Sequence, residues 1–230
     1  VHLMAINAGP DVIEDGLVFC LDAANKRSYP GAGTTWTDRV GEYDGTLTNG
    51  PTFSNDNGGS IVFDGSNDYV RITSSTFNFS NMSAGCWFKT SSTQSITPLF
   101  TKISEVFTGN NGWLLMIDSP ANGGYPYFSP KRATTAATAS QDVRDGNWHY
   151  VIGTHDGTNA KIYVDGVLKD TVSNSNTSNT VYDAVVGGFA YVGNLSNFAE
   201  ANIASVHIYD RALDDSEVSQ NYEATVGRYS

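Results

Sequence analysis

Apolar and polar residues alternate with a period of two through most of this chain. Lys161-Ile162-Tyr163-Val164 runs into Asp165-Gly166 and then Val167-Leu168-Lys169. That pattern predicts a hairpin with Ile162 and Val164 on one face and Tyr163 on the other. A second hairpin is expected from Ser60-Ile61-Val62-Phe63, a loop from Asp64 to Asn67, and Asp68-Tyr69-Val70-Arg71-Ile72. Further strands are expected near 17–22, 83–89, 97–103, 112–118, 147–154, 184–187 and 202–209, where Val, Ile, Tyr, Phe and Thr concentrate. Asp-Gly and Asn-Gly pairs, such as Asp15-Gly16, Asp64-Gly65, Asp145-Gly146 and Asp156-Gly157, punctuate these runs. Such pairs tolerate the positive φ that tight turns require. Helical spacing is confined to the end of the chain. There Asp214 stands three residues before Glu217, as in a capping box, and Val218, Tyr222 and Val226 form one apolar stripe. The pattern predicts an all-β antiparallel sandwich or barrel with one short C-terminal helix.

Composition narrows the class. A hydrophobic share of 40% and an aromatic share of 12% suffice for a packed core. No linker-like segment divides the chain, so residues 4–230 are expected to form a single domain. Residues 1–3 precede Met4-Ala-Ile-Asn, which reads as a natural start, and are set aside as a remnant. With 13 Lys and Arg against 24 Asp and Glu, the net charge of −11 argues against nucleic acid as a partner. It suits a neutral glycan, a basic ligand or a divalent cation, and it also serves simply to keep a protein soluble. No run approaches the apolar length of a membrane span, so no membrane insertion is expected, and the first residues do not show the charged, apolar and cleavage regions expected of a secretory signal. Cys20 and Cys86 each lie in an apolar run and are expected to be buried, unbonded thiols.

Several motifs in order resemble the laminin-G-like branch of the concanavalin A-like lectin/glucanase superfamily. They are Gly16-Leu17-Val18-Phe19 with Leu21-Asp22-Ala23, Ile61-Val62-Phe63-Asp64-Gly65-Ser66-Asn67-Asp68-Tyr69-Val70, and Ser83-Ala84-Gly85-Cys86-Trp87-Phe88. Asp145-Gly146-Asn147-Trp148-His149-Tyr150-Val151, Lys161 to Gly166, and Ile203 to Leu213 follow. The ending from Gln220 to Tyr229 resembles such domains in tailed-phage structural proteins. The resemblance implies a two-sheet antiparallel jelly-roll sandwich whose N- and C-terminal strands are neighbours. It implies a carbohydrate-binding role and a virion or extracellular location, although fold does not fix function.

The chemistry-bearing residues point away from catalysis. Glucanases of this superfamily carry their paired carboxylates on one strand as Glu-x-Asp-x-x-Glu or a close variant. None of the six glutamates here, Glu14, Glu42, Glu105, Glu200, Glu217 and Glu223, lies in that pattern. The histidines form no HExxH, and there is no Gly-x-Ser-x-Gly elbow. Trp87 and Trp148 lie in strand motifs and are expected in the core. Trp36, Trp113, Tyr125, Tyr127 and Tyr191 lie in or near loops and are the candidate sugar platforms, each with partial burial as its plainer reading. Calcium is the cofactor the loops suggest, with Asp38, Asp64, Asn67 and Asp68 as ligands. The same residues also read as ordinary turn formers.

The expected function is a non-enzymatic, lectin-like domain that binds a glycan or cell-surface polysaccharide, on a phage virion or host-attachment protein. The alternative is a structural decoration protein that packs on other virion proteins without a small ligand. A glycoside hydrolase is third, and needs a close carboxylate pair that the sequence does not display.

Overall fold

The structure, a computed structural model, describes residues 10–73, 77–103, 112–118, 123–131, 135–178, 182–189 and 196–229. In chain order its strands begin with β1 (Leu17–Asp22), β2 (Thr35–Trp36), β3 (Gly45–Thr48), β4 (Thr52–Ser54), β5 (Ser60–Asp64) and β6 (Tyr69–Ile72). Next come β7 (Met82–Lys89), β8 (Thr97–Ile103), β9 (Gly112–Ile117), β10 (Pro126–Ser129), β11 (Ala137–Thr138) and β12 (Trp148–His155). The last are β13 (Asn159–Val164), β14 (Val167–Ser173), β15 (Ala184–Val186), β16 (Gly188–Phe189), β17 (Ser196–Phe198) and β18 (Glu200–Tyr209), before helix α1 (Asp215–Val226). One antiparallel sheet runs β14-β13-β12-β7-β18-β5-β4, with β1 also beside β18. The other runs β11-β10-β9-β8-β15-β6-β3-β2. The two sheets pack face to face, so the predicted all-β sandwich is the fold. The terminal strands β1 and β18 are paired from Leu17↔Tyr209 to Asp22↔Ser205.

The core follows from the alternation. Phe19, Leu21, Ile61, Phe63 and Phe88 of the first sheet meet Val70, Ile72, Phe100, Trp113, Leu115 and Phe128 of the second. Phe19 stacks on Phe100 at 5.9 Å between ring centroids, and Phe100 meets Trp113 edge-on at 4.9 Å. The sheets approach closely at Gly153, where a Cβ would stand 2.0 Å from the Phe128 ring. β7 is buried along nearly its whole length, so both of its faces are covered. Its outward residue Trp87 joins Tyr150, Tyr163 and Tyr209 in a second apolar layer against Leu213, Val218, Tyr222 and Tyr229. α1 forms that cover, and its capping box is as expected: Glu217 N–H donates to Asp214 Oδ1 at 2.9 Å and Asp214 N–H to Glu217 Oε2 at 2.9 Å. The expected stripe of Val218, Tyr222 and Val226 faces the sheet, joined by the buried Asn221.

Two hairpin expectations part company. β13 and β14 form the hairpin predicted from Asp165-Gly166, with φ of 52° and 77° at the two turn residues. That turn is pinned from the side, since Tyr150 N–H donates to Asp165 Oδ1 at 2.9 Å and His149 Nδ1 contacts Asp165 Oδ2 at 2.8 Å. The strands around Asp64 form, but they are no hairpin. β5 pairs with β4 and β18, whereas β6 pairs with β3 and β15 in the opposite sheet. Residues 65–68 therefore arch over the rim of the sandwich, because Phe63 and Val70 must enter one core from opposite sides.

Cys20 and Cys86 are unbonded and lie on opposite faces of the first sheet, Cys86 in the inter-sheet core and Cys20 under α1. Burial, then the nearby Asp22 and Asp38, pushes the Cys20 thiol up to about 12.

Asp38, expected as a calcium ligand, is a backbone clamp. Its Oδ1 accepts from Cys20 N–H at 2.9 Å and Val40 N–H at 3.1 Å. Its Oδ2 accepts from Gly41 N–H at 3.1 Å and Tyr43 N–H at 3.4 Å. The carboxylate thereby ties the 38–43 turn to β1, and both oxygens are spent. Asp38→Ala should cost about 2–4 kcal/mol in urea unfolding, because four amides lose a charged acceptor in a buried site. Asp38→Asn should lose less, since one acceptor oxygen remains; equal losses for the two variants would refute the clamp.

His149 gives the fold a pH dependence. Burial disfavours its charged form, but hydrogen bonds and charge from Asp165 and Asp145 outweigh this and raise its pKa above the usual imidazole value. A group raised in the folded state contributes stability that is complete below the unfolded pKa of about 6.5 and is lost as pH climbs through the folded value. The stability gap between the native chain and His149→Gln should therefore be larger at about pH 5.5 than at about pH 8.5. An unchanged gap would mean that folding leaves the imidazole pKa where it is in the unfolded chain, which would refute the shift.

Candidate functional site

The outer face of the first sheet changes character along its strands. At one end Trp87 lies under α1 and Tyr229, with ring centroids of Trp87 and Tyr229 4.2 Å apart. Two residues on, β7 places Lys89 on the same face, and the cross-strand neighbours become Asn202 and then Glu200 opposite Asp64. Apolar cover ends here and a polar cleft of about 480 Å³ begins, within the usual size of ligand pockets. Asp64, Lys89, Ser92, Glu200 and Asn202 are among its polar side chains.

Each wall has a local cause. The 65–68 arch is held by Asp64 Oδ1 accepting from Ser66 N–H at 2.8 Å and by Asp68 Oδ2 accepting from Asp64 N–H at 3.2 Å. Gly65 has φ +77°, and a Cβ there would stand 2.6 Å from Gln94 Nε2 and 2.9 Å from Glu200 Cβ. Only glycine lets the arch press so closely against its neighbours. On the other side, Thr90 Oγ1 donates to the Glu200 carbonyl at 2.7 Å and Ser92 Oγ donates to Glu200 Oε2 at 2.8 Å. Glu200 is thus aimed, and among the described residues its other carboxylate oxygen has no hydrogen-bond partner. Asn202 Nδ2 donates to Ser60 Oγ at 3.1 Å, which fixes its amide.

An aromatic edge adjoins the cleft. Trp148, cross-strand from Lys89, is half-buried rather than in the core where its motif suggested. Its ring packs on Tyr229 at 4.9 Å, carries the Lys89 ammonium at 5.3 Å, and donates through Nε1 to Asn57 Oδ1 at 3.0 Å. The arrangement joins carboxylate acceptors, a serine hydroxyl, an amide and an indole edge. Such a mixture matches the alternating hydroxyl and C–H surfaces of a sugar. Asp68 is nearly buried beside Asp64, and burial first, with the Asp64 charge added, raises its pKa against the pull of the Asp64 amide.

The expected sugar platforms do not converge. Trp36 and Trp113 are both 0% exposed, which removes them as platforms. Each lies in a strand whose inward position sends the ring into the core, and Trp113 Nε1 is already donated to the Phe77 carbonyl at 3.0 Å. Tyr127 is half-buried on the outer face of the second sheet beside Leu114, Met116 and Phe189, away from the cleft. Tyr125 is half-buried with its ring against Gly123. Tyr191 lies outside the described residues. Of the expected calcium ligands, Asp64 and Asp68 meet in the rim arch that also carries Asn67. Asp38 is consumed as described, and Asp64 and Asp68 each give an oxygen to a backbone amide. Among the described residues no group of three or more acidic, histidine or cysteine side chains converges.

Glu200, Ser92 and Asn202 were missed in the sequence. Glu200 lies some 136 positions from Asp64, so no local motif could join them; the one signal was Glu200 opening a strong strand that ends the domain pattern. Among the described residues no helix is long and apolar enough to cross a membrane.

Comparisons with known proteins agree with this architecture. Domain 4 of AbnA, a GH43 extracellular arabinanase from Geobacillus stearothermophilus solved with arabinotriose, superposes with a TM-score of 0.69 at 15% identity, covering 91% of this chain and 100% of that one. Trypanosoma rangeli sialidase gives 0.66 at 17% identity over 94% of this chain, which spans only 34% of the sialidase. The receptor-binding domain of botulinum neurotoxin type G gives 0.61 at 18% identity, covering 90% of this chain and 51% of that one. At these identities the likeness is one of fold. No curated protein matches the sequence. The Laminin G model described as concanavalin A-like lectin/glucanases superfamily matches residues 64–219, from the rim arch into the C-terminal helix, and the chain belongs to that superfamily.

Proposed function

We propose that this chain is a non-enzymatic carbohydrate-binding domain whose ligand sits in the rim cleft between the 65–68 arch, the end of β7 and the start of β18. The observation that carries the reading is Glu200 and Asp64 paired across β18 and β5, with Ser92 orienting Glu200 and Asn202 on the same face. With one oxygen of each carboxylate held by Ser92 or the Ser66 amide, the other can accept a sugar hydroxyl, and charged acceptors make the stronger hydrogen bonds. The match to the whole of an arabinotriose-bound domain of the same fold supports a glycan as the class of ligand.

The charge of the cleft selects among glycans. Asp64 and Glu200 face it together, and the one cation among its described lining residues, Lys89, lies over the Trp148 ring. A uronic or sialic acid would meet two carboxylates, so the ligand is a neutral or amino sugar. We extend the reading to attachment of a phage virion to a host-surface polysaccharide, on the resemblance of the Gln220–Tyr229 ending to tailed-phage structural proteins.

The same acidic pair motivates a second reading, hydrolysis, since glycosidases use two carboxylates across the scissile bond. Binding is the better fit. Both Asp64 and Glu200 are exposed to water, whereas a general acid needs surroundings that hold its proton near neutral pH.

A glycan array run with calcium and with chelator should show binding to neutral or amino glycans and none to sialylated or uronic-acid glycans. Glu200→Gln should weaken the best ligand roughly tenfold, about 1.4 kcal/mol. Binding that survives both Glu200→Gln and Asp64→Asn would move the site elsewhere, and an array with no binder would favour a decoration protein. Turnover of a bound oligosaccharide that Glu200→Gln abolishes would establish the hydrolase instead.

A further inference from the structure

Gln94 is not among the residues lining the rim cleft, yet it bonds to what holds both of its walls. Its backbone N–H donates at 3.3 Å to Ser92 Oγ, the hydroxyl that orients Glu200. Its side-chain Nε2 donates at 3.3 Å to the carbonyl of Gly65, the residue that follows Asp64 into the arch. Gly65 leaves room for that amide, because a Cβ there would stand 2.6 Å from Nε2. One residue thus spans the two carboxylates that β5 and β18 place opposite each other.

Gln94 is itself gripped from behind. Arg144 Nη1 donates to the Gln94 carbonyl at 3.0 Å, and Nη2 donates to the Asp118 carbonyl just past β9. Arg144 N–H donates in turn to Asp142 Oδ1 at 2.9 Å. Two residues on, Gly146 lines the cleft and gives its N–H to the Thr90 carbonyl at 3.0 Å. A guanidinium is a rigid planar fork, so Arg144 fixes the Gln94 backbone against β9 and the 142–147 loop at once.

Stability does not account for glutamine at this position. Its Oε1 is buried and has no hydrogen-bond partner among the described residues. Turning the amide over would set Oε1 against the Gly65 carbonyl, acceptor facing acceptor. A buried acceptor without a donor destabilises the fold, and a methionine of similar length would carry no such acceptor. What glutamine alone supplies is a donor aimed at the arch. We infer that Gln94, braced by Arg144, is a positioning residue that sets Asp64 and Glu200 relative to one another for the glycan. This rests on the rim cleft as the glycan site.

The Asp64 and Glu200 carboxyl ¹³C signals of the full chain, assigned with Asp64→Asn and Glu200→Gln, report the geometry without any glycan. Gln94→Met should shift the Asp64 signal through the arch. Arg144→Lys, which replaces the fork by a single ammonium, should shift both. Gln94→Met should also weaken the tightest neutral glycan of the array about fivefold, the loss of roughly one hydrogen bond. Its melting temperature should stay level or rise, whereas a merely structural role would lower melting and binding together. An unmoved Asp64 signal in Gln94→Met, unchanged glycan binding, or a melting temperature that falls with the affinity would overturn the proposal. With no binder on the array the glycan reading fails by itself, and the carboxyl signals still uphold or overturn the positioning.

Discussion

The first sheet has two apolar faces, and covering both at once is the constraint on which the molecule depends. β7 runs through the middle of that sheet with Cys86 and Phe88 turned to the second sheet and Trp87 turned the other way. A sandwich alone would leave Trp87, Tyr150 and Tyr163 facing water, a large apolar patch of the kind soluble chains rarely expose. α1 and Tyr229 supply the missing cover, and Trp87 Nε1 bonded to Thr225 shows how closely the helix is seated. The N-terminal segment joins the same assembly through Ile13, which meets Asn221 and the Tyr209 hydroxyl.

That arrangement also decides where binding chemistry has room. α1 covers one end of the outer face and stops, and the exposed remainder turns polar at Lys89, Asn202, Glu200 and Asp64. The rim cleft is thus the uncovered part of a face whose other part is core. Under the helix the fit is imperfect, because aromatic rings and a buried amide do not tile a pleated surface without leaving space. A small cavity beside His207 is that remaining space, and the neutral His207 imidazole follows from burial, which lowers the pKa to about 4.

Acidic residues in loops carry two different kinds of work here. Asp38 and Asp165 spend their oxygens on backbone amides and a histidine, which orders the turns. Glu200 has one oxygen held by Ser92, and among the described residues its other oxygen has no hydrogen-bond partner. Residue type does not separate these roles; what surrounds each carboxylate does.

The alternation of side chains, the Asp-Gly turns and the Asp214–Glu217 spacing determined the strands, the β13–β14 hairpin and the capped helix, because each of these depends on residues a few positions apart. Tertiary structure alone decided the rest. Ser60–Ile72 reads identically as a hairpin or as an arch between sheets, since both need alternating strands joined by a glycine turn. Trp36 and Trp113 looked like loop-borne platforms, yet strand parity turned them inward, and parity in short strands is set by pairing with distant partners. The cleft is the sharpest case. Asp64 and Glu200 meet only because β5 and β18 are hydrogen-bonded neighbours, and a ladder between strands so far apart leaves no periodic trace in the chain.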